Sequence, residues 1–130
     1  MNNLNIISTV REDNEQYQKV VQIVEDFNSK QSFTLHTSGS TGSPRELHFA
    51  KDQLIKSAKR TIEFFKLNSK SNIWLALNPE YVAGYMMAIR AIEANCSLVI
   101  SPSSGPFSDA LKGVKSIDFV SLVPLQAESI

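Results

Sequence analysis

Between residues 12 and 28, apolar side chains return every three or four positions: Tyr17, Val20, Val21, Val24 and Phe27, with Glu and Gln residues between them. That period predicts an amphipathic helix, and Asp13 or Asn14 can cap its start with a side-chain oxygen. The clearest helical pattern covers 51–66. There Leu54, Ile55, Ala58, Ile62 and Phe65 form one stripe, while Lys51, Lys56, Lys59, Arg60 and Glu63 face water. "YVAGYMMAIRAIEAN", residues 81–95, is apolar nearly all round, which predicts a mostly buried helix. Strand patterns lie between these segments. "SFTLHT" (32–37) is short and rich in β-branched and aromatic residues, and "RELHF" (45–49) alternates polar with apolar, so the loop between them joins two adjacent strands. "IWLAL" (73–77) and "SLVI" (97–100) are continuous apolar runs, as expected of strands covered on both faces. "NSKSN" (68–72) is a turn, "SPSSGPFSD" (101–109) a Pro/Ser/Gly loop, "ALKGV" (110–114) a short helix and "IDFVSLV" (117–123) a last strand.

The later order is strand, helix, strand, helix, strand. Such alternation implies right-handed crossovers and an α/β fold, a mostly parallel sheet with covering helices. The chain stops at "VPLQAESI", straight after a strand and where a crossover helix is due. Residues 1–130 are therefore expected to be a partial amino-terminal domain. Its apolar edge strand near 117–123 is expected to favour self-association.

Composition narrows the function classes. Thirteen Lys and Arg balance thirteen Asp and Glu, which argues against a nucleic-acid binder held by phosphate neutralisation. A small anionic ligand, held by one cation and several N–H groups, remains compatible with that balance. No apolar run approaches the ~20 residues of a membrane span, and "MNNLNIISTVRED" lacks the layout of a secretion signal. The single cysteine, Cys96, lies in the apolar stretch "AIEANCSLVI" and reads as a buried structural thiol, in keeping with a reducing cytoplasm. His36 and His48 with Cys96 show no metal-ligand spacing and read as ordinary strand histidines.

Chemistry concentrates in "TLHTSGSTGSPRE", residues 34–46, where Thr37, Ser38, Ser40 and Thr41 crowd hydroxyls around Gly39 and Gly42, and Arg45 follows. A Ser/Gly linker is the bland reading. Against it stand the flanking strand patterns, the placing of hydroxyls between glycines and the adjacent cation. Glycines let successive N–H groups converge on an anion, and hydroxyls add rotatable donors, so the stretch reads as a phosphate cradle. The Walker pattern is absent, because Gly39 and Gly42 are three apart and no Gly-Lys-Ser/Thr follows. The dinucleotide fingerprint is absent too.

Thr37 to Glu46, "TSGSTGSPRE", resembles the signature of the adenylate-forming superfamily (acyl-CoA synthetases, peptide-synthetase adenylation domains and luciferases), Thr-Ser-Gly-Ser/Thr-Thr-Gly-x-Pro-Lys-Gly. Eight consecutive positions, Thr37 to Pro44, match in type. Arg45 stands where the family usually has Lys, which keeps the charge and changes its shape. Glu46 stands where the family usually has Gly and brings a carboxylate near a polyphosphate site. Downstream, "LALNPEYVAGYMMAIRAI" is similar to the family's Leu-Pro-x-x-His-x-x-Gly segment, with Pro79 and Gly84 fitting and Tyr81 replacing the common His. A short lead of 36 residues before the signature, with "EYVAGYMMAIRAI" after it, resembles the compact o-succinylbenzoate–CoA ligases of menaquinone synthesis.

The resemblance implies part of an acid–thiol ligase that activates a carboxylic acid with ATP as an acyl-adenylate and transfers it to coenzyme A. ATP, Mg2+ and coenzyme A are then substrates of the complete enzyme. Thr37, Ser38, Gly39, Ser40, Thr41 and Gly42 would wrap the ATP phosphates with Arg45 beside them, and Tyr81 and Gly84 would lie at the acid pocket. For Tyr81, a half-buried helix-start residue is an equal alternative. The family's magnesium carboxylate, ribose-binding Asp and mobile Lys have no match in this sequence. The 130 residues alone are therefore expected to be inactive and to contain no catalytic or metal-ligating residue of their own. The rival reading is a non-catalytic binding or assembly module that retains the fold.

Overall fold

The two continuous apolar runs form the middle of a parallel sheet. The computed structural model describes residues 4–37, 43–102, 114 and 116–122. Its elements are β1 (Asn5–Ser8), α1 (Glu15–Ser29), β2 (Ser32–His36), β3 (Glu46–Ala50), α2 (Lys51–Phe65), β4 (Asn72–Leu75), α3 (Val82–Ala94), β5 (Ser97–Ile100) and β6 (Phe119–Val120). Four strands pair in the order β1-β5-β4-β6. Every pair is parallel, with Ile73 opposite Leu98 and Leu75 opposite Ile100 at the centre. β2 and β3 form a separate antiparallel pair, Phe33 opposite Phe49 and Leu35 opposite Leu47. The expected α/β architecture with a mostly parallel sheet is what the chain adopts.

Covering of both sheet faces explains the apolar runs. On one side Ile73, Leu75, Leu98 and Ile100 join Val20, Ile23 and Phe27 of α1, Leu54 and Ala58 of α2, and the buried length of α3. On the other, Trp74, Ala76 and Val99 pack with Ile7, Val114, Ile117, Val120 and Leu122. α3 is buried from Gly84 to Ile89 and again at Ala91 and Ile92, as its all-round apolar sequence requires.

Element ends follow from local chemistry. Asn14, not Asp13, caps α1, its Oδ1 accepting the Gln16 N–H at 2.8 Å. The helix therefore starts at Glu15, later than the apolar period implied. At α2 the Gln53 Oε1 accepts the Ala50 N–H at 2.8 Å, the backward half of a capping box. α2 and α3 end on left-handed residues, Lys66 and Asn95, both at φ 54°.

Four expectations need correction or fall outside the description. β1 was not expected: "NIIS" is a short edge strand whose parallel partner, β5, comes late in the sequence. Phe65 leaves the apolar stripe of α2 and is 51% exposed, because the last turn runs past the core; its ring meets Phe119 at 4.7 Å instead. The last strand is confined to Phe119–Val120. The 110–114 helix, apart from its non-helical end at Val114, and most of the 101–109 loop lie outside the described residues.

Candidate functional site: the Thr37–Arg45 hairpin

The signature stretch is carried by the β2–β3 hairpin. Past the last ladder pair, His36 opposite Glu46, the chain stays in register for one more step. The Thr37 N–H donates to the Arg45 carbonyl at 3.0 Å, and the Arg45 N–H donates to the Thr37 Oγ1 at 3.0 Å. The two ends of the loop are thus clamped to each other. One of the five hydroxyls of the signature, that of Thr37, serves the clamp. Arg45 is exposed, so its guanidinium is available to an anion at the loop. Ser38, Gly39, Ser40, Thr41 and Gly42 lie outside the described residues.

Hairpin register also groups three residues that are scattered in sequence. On the outward face the Glu46 carboxylate lies 3.6 Å from the His36 Nε2 and 3.9 Å from the His48 Nε2. His48 Nδ1 is 3.1 Å from the Thr34 Oγ1. Glu46, the residue that departs from the family pattern, therefore has two histidines as neighbours. Cys96 lies apart, at the end of α3 and 2% exposed; burial pushes its thiol up to about 11, which leaves it protonated and unreactive near neutrality.

Tyr81 and Gly84 sit together at the start of α3. Tyr81 occupies the N-cap position, half-buried, with its N–H donating to the Asn78 carbonyl at 3.3 Å and its carbonyl accepting the Tyr85 N–H at 2.9 Å. Gly84 is needed for closeness: a Cβ there would stand 2.2 Å from the Asn78 oxygen and 2.9 Å from the Pro79 nitrogen. Pro79, Tyr81 and Gly84, which the resemblance singles out together, are neighbours at this turn. The Asn78–Pro79 bend lies directly on the first turn of the helix.

No family model matches the chain, and the search of curated proteins gives no match. Solved structures do match. An acyl-CoA synthetase (AMP-forming)/AMP-acid ligase II-like protein from Dyadobacter fermentans aligns with 31% identity and a TM-score of 0.78, over 93% of this chain and 35% of that one. O-succinylbenzoate coenzyme A synthetase (MenE) from Bacillus subtilis, solved with ATP and magnesium ion, gives 18% identity and a TM-score of 0.63, over 74% and 20%. Escherichia coli MenE with a bound analogue of OSB-AMS gives 22% and 0.56, over 72% and 20%. Those two share the fold alone. Fold and signature together put the chain in the adenylate-forming superfamily, with the α/β architecture of part of an AMP-forming acyl-CoA synthetase. It spans about a third of the length of the Dyadobacter protein, 35%.

Sequence reasoning missed the cluster around Glu46, and it missed Tyr85, Lys19 and Lys30, which line one cavity with β2. Neither grouping has a spacing that announces it, since both depend on which strand edge and which helix face meet.

Proposed function

We propose that the chain supplies the ATP-phosphate loop, Thr37 to Arg45, and part of the acid pocket, at Tyr81 and Gly84, of an ATP-dependent acid–coenzyme A ligase. In that reaction a substrate carboxylate oxygen attacks the α-phosphorus of ATP, an acyl-adenylate forms and pyrophosphate leaves. The coenzyme A thiol then attacks the acyl carbon, loses its proton and displaces AMP, leaving a thioester. The first step shifts negative charge toward the leaving pyrophosphate. The hairpin's contribution would be electrostatic: the amide and hydroxyl donors of the signature and the Arg45 guanidinium would stabilise the charge on the phosphate oxygens. Magnesium, bound with ATP, neutralises part of the polyphosphate charge. The hairpin's donors suit phosphate oxygens, and no three His, Cys, Asp or Glu side chains among the described residues are grouped to hold an ion.

The observation that carries this reading is the clamp between Thr37 and Arg45, which fixes the two ends of a superfamily signature in register on a matching fold. For the acid we propose o-succinylbenzoate, which makes the protein an enzyme of menaquinone synthesis working in the cytoplasm. The resemblance of the α3 segment, "EYVAGYMMAIRAI", supports that choice. The chain alone is expected to form no thioester, because its sequence has no match for three groups that the superfamily uses. A non-catalytic module that only keeps the fold is not favoured.

The test is ATP–pyrophosphate exchange by the complete gene product with o-succinylbenzoate, set against benzoate, succinate and fatty acids. Exchange that depends on o-succinylbenzoate is expected. Exchange with another acid only would remove the substrate assignment, and none with any acid would remove the ligase. Arg45→Ala should reduce exchange by the equivalent of about 2–4 kcal/mol while leaving folding intact, as expected for one preorganised charge donor.

A further inference from the structure

A second polar site lies on the opposite strand edge from the hairpin ladder. A cavity of about 260 Å3 opens between α1, β2 and α3, lined among others by Lys19, Asp26, Lys30, Ser32, Thr34 and Tyr85. That volume falls below the ~300–1,000 Å3 of sites for drug-sized ligands, so it suits a small ion or fragment, not a nucleotide.

Three kinds of donor converge there. Tyr85 is only 5% exposed, its ring is part of the main core, and it lines the cavity. β2 contributes backbone. The bonds of Lys51 N–H to the Gln31 carbonyl and of Thr37 N–H to the Arg45 carbonyl fix the alternation of the antiparallel ladder. Odd-numbered residues of β2 therefore bond to β3, and the amides of Ser32 and Thr34 point to the other edge. That edge carries no strand among the described residues, and Ser32 and Thr34 both line the cavity. Lys19 and Lys30 add positive charge.

Acidic neighbours decide which lysine is free to act. Asp26 is engaged twice, by Lys30 at 3.4 Å and by the Gln22 amide at 2.9 Å. Among the described residues Lys19 makes a single long ion pair, 3.9 Å, to Glu80, whose side chain is 60% exposed. A pair of that kind is worth ~0–1 kcal/mol and yields readily to a better partner. The phenol stays a donor: burial, and then the Asp26 charge, push it up to about 12.

We propose that this cavity binds a small anionic group, a carboxylate or a phosphoryl group, through the Lys19 ammonium, the Tyr85 hydroxyl and the outward amide of Thr34. The site is separate from the Thr37–Arg45 loop and does not depend on the ligase reading.

The test is titration of the chain with inorganic phosphate and, in a second arm, with acetate, followed by amide chemical shifts. Saturable shifts at Thr34, Lys19 and Tyr85 are expected, and the arm with the lower midpoint identifies the class of anion. Tyr85→Phe keeps the ring and removes the hydroxyl; it should weaken binding about tenfold, the scale of one hydrogen bond to a charged group. Lys19→Gln, at the cavity mouth, should do the same and serves if Tyr85→Phe unfolds. Arg45→Ala should leave these midpoints unchanged. Signals at Thr34 and Tyr85 that do not respond to either anion would overturn the site. So would midpoints that are the same in wild type, Tyr85→Phe and Lys19→Gln.

Discussion

Replacing Gly84 with Ala should destabilise the protein, although helix propensity says the reverse. Inside a helix Ala is favoured over Gly by about 1 kcal/mol. At Gly84 the new methyl would stand 2.2 Å from the Asn78 carbonyl oxygen, 2.6 Å from its carbon and 2.9 Å from the Pro79 nitrogen. Carbon–heavy-atom contacts are comfortable near ~3.5 Å, so the shortfall is more than about 1 Å. Every atom in the way is backbone, and no rotamer change relieves it. Relief requires α3 to move, and α3 is buried against α1, α2 and the sheet. Overpacking of this kind costs about 1–3 kcal/mol, and a rigid clash belongs at the upper end. After the propensity gain, the net loss is about 2 kcal/mol. For a chain of this size that is a fall in Tm of roughly 6–10 °C. Urea and thermal unfolding of Gly84→Ala would measure it, with Ala83→Gly on the exposed face of the same turn as the control. The control should lose about 1 kcal/mol by propensity alone. A Gly84→Ala protein as stable as wild type, or more so, would refute the close approach.

Lys66→Gly should gain about 1 kcal/mol in chemical denaturation, because a non-Gly residue at φ 54° carries a left-handed penalty that glycine lacks. Cys96 should resist aromatic disulfide reagents in the folded protein at neutral pH. Its raised pKa stabilises the fold in full below the ordinary thiol value of about 8.5, and that contribution should fade as pH rises toward about 11, visible as a falling unfolding midpoint. Phe64 and Phe65, 79% and 51% exposed, form with Phe119 an aromatic patch beside the edge strand β6. Sedimentation at rising concentration should show self-association that Phe64→Ser with Phe65→Ser reduces, and a concentration-independent monomer would discard that interface.

The parts legible in the sequence were those with a strong local period or a fixed local motif. α2 and α3 announce themselves by a stripe and by continuous apolarity, β4 and β5 by short apolar runs, and the hairpin by the signature between two strand patterns. What stayed hidden depends on partners far away in the chain. The four residues of β1 gain strand character from β5, not from their own alternation. Phe65 fits the stripe of α2, but nothing local says that the core ends one turn earlier. The site divides in the same way. Thr37 and Arg45 stand out as candidates in the sequence because their motif is local. The neighbours of Glu46 follow from strand register, and the Tyr85 cavity follows from where β2 meets α1 and α3.

The pairing of β1 with β5 also sets a timetable for synthesis. Asn5 and its partner Ser97 are 92 positions apart. At ~5–20 residues per second, a ribosome needs about 5–20 s to deliver β5 after β1 has been made. Through that interval "NIIS" waits as an unsatisfied strand, while α1, the β2–β3 hairpin and α2 can already form from local contacts. The sheet cannot assemble from its first strand outward; the contiguous β4–α3–β5 unit can form first, β1 can join only once β5 is present, and β6, made later still, adds at the other edge. Slowing translation just after β5 should raise the yield of native protein, whereas slowing it earlier should prolong the exposure of β1 to chaperones and to other nascent chains.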